Sequence, residues 1–135
     1  MSHQSVDIDG KVFRNGTCMN RAIVTNQSAV ALVQSDVTSM TYTIYSLSAT
    51  AEDTWTAITN HTAVSVTVSA VIYNTLQTDT LWTDTVDATG YNFKHIPVVS
   101  TNAAFTVAGV FYRIVYSLVT STVNPLLVRF KVRCY

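Results

Sequence analysis

Tyr112-Arg113-Ile114-Val115-Tyr116-Ser117-Leu118 and Leu126-Leu127-Val128-Arg129-Phe130-Lys131-Val132-Arg133 decide the fold. In both stretches every even position is apolar, while Arg113, Arg129, Lys131 and Arg133 occupy odd ones, the period-two pattern of a half-buried strand. The polar residues 120–125 between them supply a turn, which predicts a hairpin over residues 110–133 with one apolar and one mostly cationic face. Such a hairpin needs a second sheet to cover its apolar side. Tyr112, Ile114, Tyr116, Val128, Phe130 and Val132 are the expected core of the contact.

The remaining sequence supplies strands for that second layer. Met40, Tyr42 and Ile44 alternate with Thr41 and Thr43, predicting a central strand over residues 37–47. Shorter segments at 17–24, 29–33, 55–58, 63–68, 71–73 and 91–96 carry similar signals, the last ending at Pro97, which cannot donate to a ladder. Residues 76–90 lack a clean period and read as a long connection with one helical turn. Seven to nine strands with turn signals about every ten residues suit an all-β sandwich. At the N-terminus, Asp9-Gly10 lies between Val6-Asp7-Ile8 and Lys11-Val12-Phe13, which predicts a two-residue turn and a small hairpin. The chain thus divides into an N-terminal hairpin or arm, residues 1–16, and a sandwich domain, residues 17–135.

A length of 135 residues suits one domain, and a charged fraction of only 12% with abundant Thr, Val, Ser and Tyr agrees with an all-β composition. The formal net charge is zero, which argues against nucleic acid or an anionic membrane as partner of the whole surface, although local patches remain open. No apolar run approaches the roughly 20 residues of a spanning helix, and no membrane association is expected. The first residues lack a basic region followed by an apolar stretch, so use without ordinary secretion is expected. Cys134 continues the inward positions of the last strand and reads as a buried thiol; a disulfide to Cys18 is the less favoured alternative.

Catalytic and ligand chemistry find little footing. His3, His61 and His95 have no second histidine or cysteine at metal-ligand spacing and read as loop or edge residues. Asp7-x-Asp9-Gly10 begins like a calcium loop but lacks the later acidic ligands, so a turn is preferred and no metal or cofactor is expected. There is no GxSxG elbow, no Cys-His pair and no glycine-rich phosphate loop, and Asp79, Asp84 and Asp87 read as solvated loop acids; an enzyme is not expected. Trp55, Trp82, Tyr91 and Phe93 would suit a sugar-stacking platform if exposed together, whereas aromatics at alternate strand positions more often pack a core.

Charge is distributed more tellingly. From Asp36 to Asp87 every charged residue is acidic, and from Lys94 onward every one is basic. Arg129, Lys131 and Arg133 share a strand face with Arg113 beside them, giving a compact cationic patch. Two readings compete: cations that discourage aggregation at a sheet edge, or a docking surface for an acidic strand or loop of a neighbour. In the second, apolar Val6, Ile8, Val12 and Phe13 of the arm would supply most of the affinity.

Met40-Thr41-Tyr42-Thr43-Ile44-Tyr45-Ser46-Leu47, Val71-Ile72-Tyr73-Asn74-Thr75-Leu76-Gln77, Gly90-Tyr91-Asn92-Phe93-Lys94-His95 and Tyr112-Arg113-Ile114-Val115-Tyr116 together resemble the small immunoglobulin-like proteins of tailed bacteriophages. The resemblance implies an antiparallel immunoglobulin-like β-sandwich without the inter-sheet cysteine pair of antibody domains. It also implies a non-enzymatic virion protein assembled in the bacterial cytoplasm, either a capsid decoration (cement) subunit or an accessory of the tail or head-tail junction. Its partners would be major capsid or tail proteins and copies of itself. A carbohydrate-binding or host-adhesion module with a surface glycan as ligand is the rival.

Overall fold

The computed structural model describes residues 8–25, 30–47, 54–78, 90–120 and 125–135. Val6, Trp82, His3 and the acids Glu52, Asp53, Asp79, Asp84 and Asp87 lie outside them, as does most of the connection expected at 76–90.

Among the described residues there are nine strands: β1 (Ile8–Val12), β2 (Asn20–Ala22), β3 (Val37–Leu47), β4 (Trp55–Ala57), β5 (Val64–Val66), β6 (Ile72–Gln77), β7 (Tyr91–His95), β8 (Phe111–Thr120) and β9 (Leu126–Cys134). The helical content of the described residues is a 3₁₀ turn at Gln34–Asp36 and one turn at Val68–Val71, so the all-β expectation holds. A six-stranded sheet has the order β1-β9-β8-β3-β4, with β5 also on β3, and a three-stranded sheet has the order β2-β7-β6.

The hairpin over residues 110–133 forms as the alternation predicts. Tyr112 pairs with Val132, Ile114 with Phe130 and Tyr116 with Val128, and all six expected core residues are buried. Strand β3 adds Met40, Tyr42 and Ile44 to the same inward face, pairing across from Leu118, Tyr116 and Ile114. Opposite them the small sheet contributes Ala22, Ile72 and Phe93, and one continuous core joins the two sheets. The Phe93 ring lies 4.8 Å from Tyr116 edge-on and 5.9 Å from Phe130 in a stacked arrangement. Each such aromatic pair adds about 0.5–1.5 kcal/mol beyond its buried area.

Two expectations are corrected. The N-terminal hairpin does not form: Asp9 and Gly10 sit inside the continuous strand β1, which runs parallel to β9 with Ile8 opposite Phe130 and Val12 opposite Cys134. A Cβ on Gly10 would meet Val132 at 3.4 Å, an ordinary contact, so this position in the strand does not require glycine. The large sheet is accordingly mixed rather than purely antiparallel. The second correction concerns β9, which is not an edge strand. Residues Phe130 to Cys134 pair with β8 on one side and β1 on the other, so their backbone groups are already used.

Both cysteines are free and buried, as preferred for Cys134. The segment between β2 and β3 is pinned by Asn92, a buried side chain on β7. Its Oδ1 accepts from the Val24 N–H at 2.7 Å, and its amide donates to the carbonyls of Val24 at 2.9 Å and Leu32 at 3.0 Å. The Asn92 side chain thus acts as a stretch of backbone for a segment in which Thr25 and Ala31 form an isolated bridge. Replacing Asn92 by Leu strands the Val24 N–H and the Leu32 carbonyl. Chemical denaturation of Asn92→Leu is therefore expected to show a loss of about 2–4 kcal/mol, and a loss below 1 would contradict the pinning role.

Candidate docking face

Strand parity divides the large sheet chemically. The even residues from Met40 to Ile44 on β3, Tyr112 to Leu118 on β8 and Val128 to Cys134 on β9 fill the core, so the odd ones between them form the opposite face. Register sets them in rows: Phe111 beside Arg133 beside Lys11, then Tyr45 beside Arg113 beside Lys131 beside Asp9, then Thr43 beside Val115 beside Arg129. Arg113, Arg129, Lys131 and Arg133 are thereby brought onto one surface, as the sequence predicts.

Each cation on this face lies against an aromatic ring. The Arg113 guanidinium sits 4.3 Å from the Trp55 ring centroid and that of Arg129 sits 5.9 Å from it, while Tyr45 packs 5.3 Å from Trp55 on its other neighbour strand. Lys131 lies 4.8 Å and Arg133 5.8 Å from Phe111; Arg133 is also 5.4 Å and Lys11 5.7 Å from Tyr135. Each contact contributes about 0.5–2 kcal/mol and, more usefully, fixes where a long side chain carries its charge. Arg113 is only 7% exposed, its apolar stem and planar head flattened under Trp55. Arg113, Arg129 and Lys131 also engage further groups of the chain.

The apolar residues expected to dock beside these cations fall elsewhere. Val12 is buried in the core, and Ile8 shares its inward parity opposite Phe130, so neither joins the cationic face. Phe13, just past the end of β1, is 77% exposed and is the one described member of the apolar group that reaches solvent fully. Of the residues expected to form a sugar platform, Tyr91 and Phe93 are buried, Trp55 is 37% exposed with Arg113 against its ring, and Trp82 lies outside the described residues.

Sequence reading missed the ring partners Tyr45, Phe111 and Tyr135 and the cation Lys11. Parity was the available signal, because Tyr45 and Phe111 are odd residues in strands whose even residues are core.

It also missed a polar chain inside the protein. The Tyr116 hydroxyl accepts from the Asn20 amide at 2.9 Å and shares a hydrogen bond with Nδ1 of His95 at 2.7 Å. Deeper, His61 is almost completely buried. Its Nε2 donates to the Asn102 carbonyl at 2.6 Å, which leaves Nδ1 to accept the Tyr42 hydroxyl at 3.1 Å. Left-handed backbone at Asn60 and Ala63 brackets the bulge that turns His61 inward. His61 thus lies in a loop, as expected, but is buried, and His95, half-buried, ends the central strand of the small sheet rather than an edge strand.

Burial governs the ionisation of this chain. Desolvation lowers the His95 pKa to about 4 and raises that of Cys18 to about 11, the latter only partly offset by the Asn20 side chain. Desolvation likewise pushes Tyr42 and Tyr116 up, so all four are neutral near pH 7. No group of three or more His, Cys, Asp or Glu that could hold a metal occurs among the described residues.

Comparison of the chain with protein families, with characterised proteins and with solved structures finds no match.

The pH consequence has a definite sign. An unfolded chain protonates histidine near 6.5, whereas the folded His95 resists until about 4, so the unfolded state binds the extra proton in that window. His95 thus contributes stability fully above 6.5 and loses it as pH falls toward 4. Thermal unfolding across the window should fall less steeply for His95→Gln than for the parent, and parallel profiles would refute the assignment. Tyr116→Phe removes the shared hydroxyl and should cost about 1–3 kcal/mol at neutral pH.

Proposed function

We propose that this chain is a non-enzymatic, immunoglobulin-like structural subunit of a tailed-phage virion, a capsid decoration or tail accessory protein that acts by docking. The immunoglobulin-like assignment is supported by strand order. The small sheet β2-β7-β6 corresponds to strands B-E-D, and β9-β8-β3-β4 corresponds to G-F-C-C′ of the variable-type arrangement. In place of an inter-sheet disulfide, Tyr116 ties β8 to β2 and β7 through Asn20 and His95. The virion assignment rests on the resemblance of the four strand segments to phage proteins of this kind.

The observation that carries the docking role is the outer face, where five cations are held in place by aromatic rings with Asp9 in the same rows. A face that merely stays soluble needs charge but not fixed charge, since a solvated lysine or arginine does as well when mobile. Its partners would be major capsid or tail proteins and further copies of the chain, in a particle assembled in the host cytoplasm. The interior neutrality of His95 and Cys18 supports a non-catalytic reading, because neither a general base near pH 7 nor a thiolate is available there. The glycan-binding rival has less support, with Tyr91 and Phe93 in the core and Arg113 against the ring of Trp55.

The test is stoichiometry in purified particles. The parent should be present at a fixed copy number, and the combined Arg129→Ser, Lys131→Ser, Arg133→Ser variant should be incorporated several-fold less, since exposed charge pairs contribute roughly 0.2–1 kcal/mol each. Absence from particles, together with glycan binding that Trp55→Ala abolishes, would replace this reading with the rival.

A further inference from the structure

The large sheet ends on one side in β1, which pairs with β9 along its whole length and has no strand on its other edge among the described residues. The Val12 carbonyl accepts the Tyr135 N–H at 2.9 Å, so Val12 turns its main-chain groups toward β9, as do Gly10 and Ile8 at the same parity. The N–H and C=O groups of Asp9 and Lys11 therefore face away from the sheet. Every residue from Ile8 to Lys11 is exposed, and Lys11 stays so although the Tyr135 ring lies 5.7 Å away. Among the described strands the other edges are shorter or covered. Strands β2, β4 and β5 have three residues each, and Gln34 lies along β6, its N–H donating to Asn74 Oδ1 at 2.8 Å and its Nε2 to the Ile72 carbonyl at 3.0 Å.

We propose that β1 pairs with β1 of a second copy of the chain, antiparallel and about a twofold axis through Gly10, so that two six-stranded sheets become one. The pairing uses a sheet edge rather than the cationic face and does not rest on the virion reading.

Register carries the proposal. In an antiparallel pair, hydrogen bonds are exchanged between opposite residues whose main-chain groups both point into the gap. With Gly10 facing Gly10 across the axis, Asp9 faces Lys11 of the second copy and Lys11 faces its Asp9, so each outward-pointing residue meets an outward-pointing partner. The same register sets opposite charges across from each other twice, because Asp9 and Lys11 carry their side chains on one face of the sheet. Sliding one strand by two residues sets Asp9 against Asp9 or Lys11 against Lys11, and sliding it by one sets inner residues against outer ones. On the inner face Ile8, 40% exposed in the single chain, comes to lie across from the second copy's Val12, which continues the apolar layer over the axis. An edge blunted by proline, a bulge or charge of one sign refuses its own image, whereas this one complements it. The contact is one five-residue strand on another, so the dimer is weak and concentration-dependent.

Sedimentation velocity of the full chain over a rising concentration series tests the pairing. The parent should shift from monomer to dimer. Asp9→Lys and Lys11→Asp each place like charges opposite one another in both pairs and should weaken dimerisation about tenfold, while the combined Asp9→Lys, Lys11→Asp variant should return to within about threefold of the parent. Gly10→Cys supplies a second readout. A Cβ there meets Val132 at 3.4 Å, an ordinary contact, and the native Cys18 and Cys134 are buried. Across the axis the two Cα atoms stand about 4.5 Å apart, within disulfide range. Mild oxidation should therefore link Gly10→Cys chains faster than Lys11→Cys chains, whose thiols are out of register with each other. A parent that stays monomeric throughout, a dimer that the single reversals leave intact, or a combined variant no better than the singles overturns the proposal. So does Gly10→Cys linking no faster than Lys11→Cys.

Discussion

The two sheets are held in register by what surrounds one side chain, Tyr116. Its ring contacts Phe93 and Phe130 edge-on and lies 5.9 Å from Tyr42, so it shares the apolar burial of both layers. Its hydroxyl would be costly there without partners, because a buried phenol that gives up water and finds nothing loses about 1–3 kcal/mol. Asn20 from β2 and His95 from β7 satisfy it, each through a hydrogen bond. This bond is directional where hydrophobic burial is not. It specifies which residues of the small sheet face which residues of the large one, the job that a disulfide does in antibody domains.

The same parity that builds this interior builds the exterior. Once Tyr112, Ile114 and Tyr116 turn inward, Phe111, Arg113 and Val115 must turn outward, and register with β9 and β1 then decides which cations become neighbours. Among the described residues, the outer face of β1, β8 and β9 gathers five cations and one acid, Asp9, in this way. Aromatic neighbours do the rest, replacing the mobility of long cationic side chains with defined positions before any partner arrives.

What could be read in the sequence followed from periodicity. The alternation in β3, β8 and β9 gave the core residues and the cationic face, since a strand with one apolar side has one way to lie. What could not be read depended on long-range pairing. Asp9-Gly10 has the composition of a tight turn, and nothing local reveals that β9 offers this segment a parallel partner, so the hairpin expectation failed there. The same pairing removed β9 from the sheet edge. His61 was missed for a related reason: its burial comes from a bulge between β4 and β5, two three-residue strands along one edge of β3, and a bulge leaves no period to detect. Trp55 sits in a segment too short to show parity, so its place over Arg113 emerged only from its pairing with Leu47.

The partnership of β1 and β9 also orders events in time. Ile8 pairs with Phe130 and Val12 with Cys134, so β1 finds its partner only after the more than one hundred residues between them have been made. Every other described strand of the large sheet has a neighbour nearer in sequence. During synthesis β1 and the exposed Phe13 beside it therefore wait as an unpaired, partly apolar leader, available to a chaperone or to the finished sheet of another copy. Closure of the sheet is a contact of very high sequence separation, the kind that slows folding because a long loop must be closed before any reward is gained. Lys11 therefore reaches the ring of Tyr135 only after synthesis has passed β9.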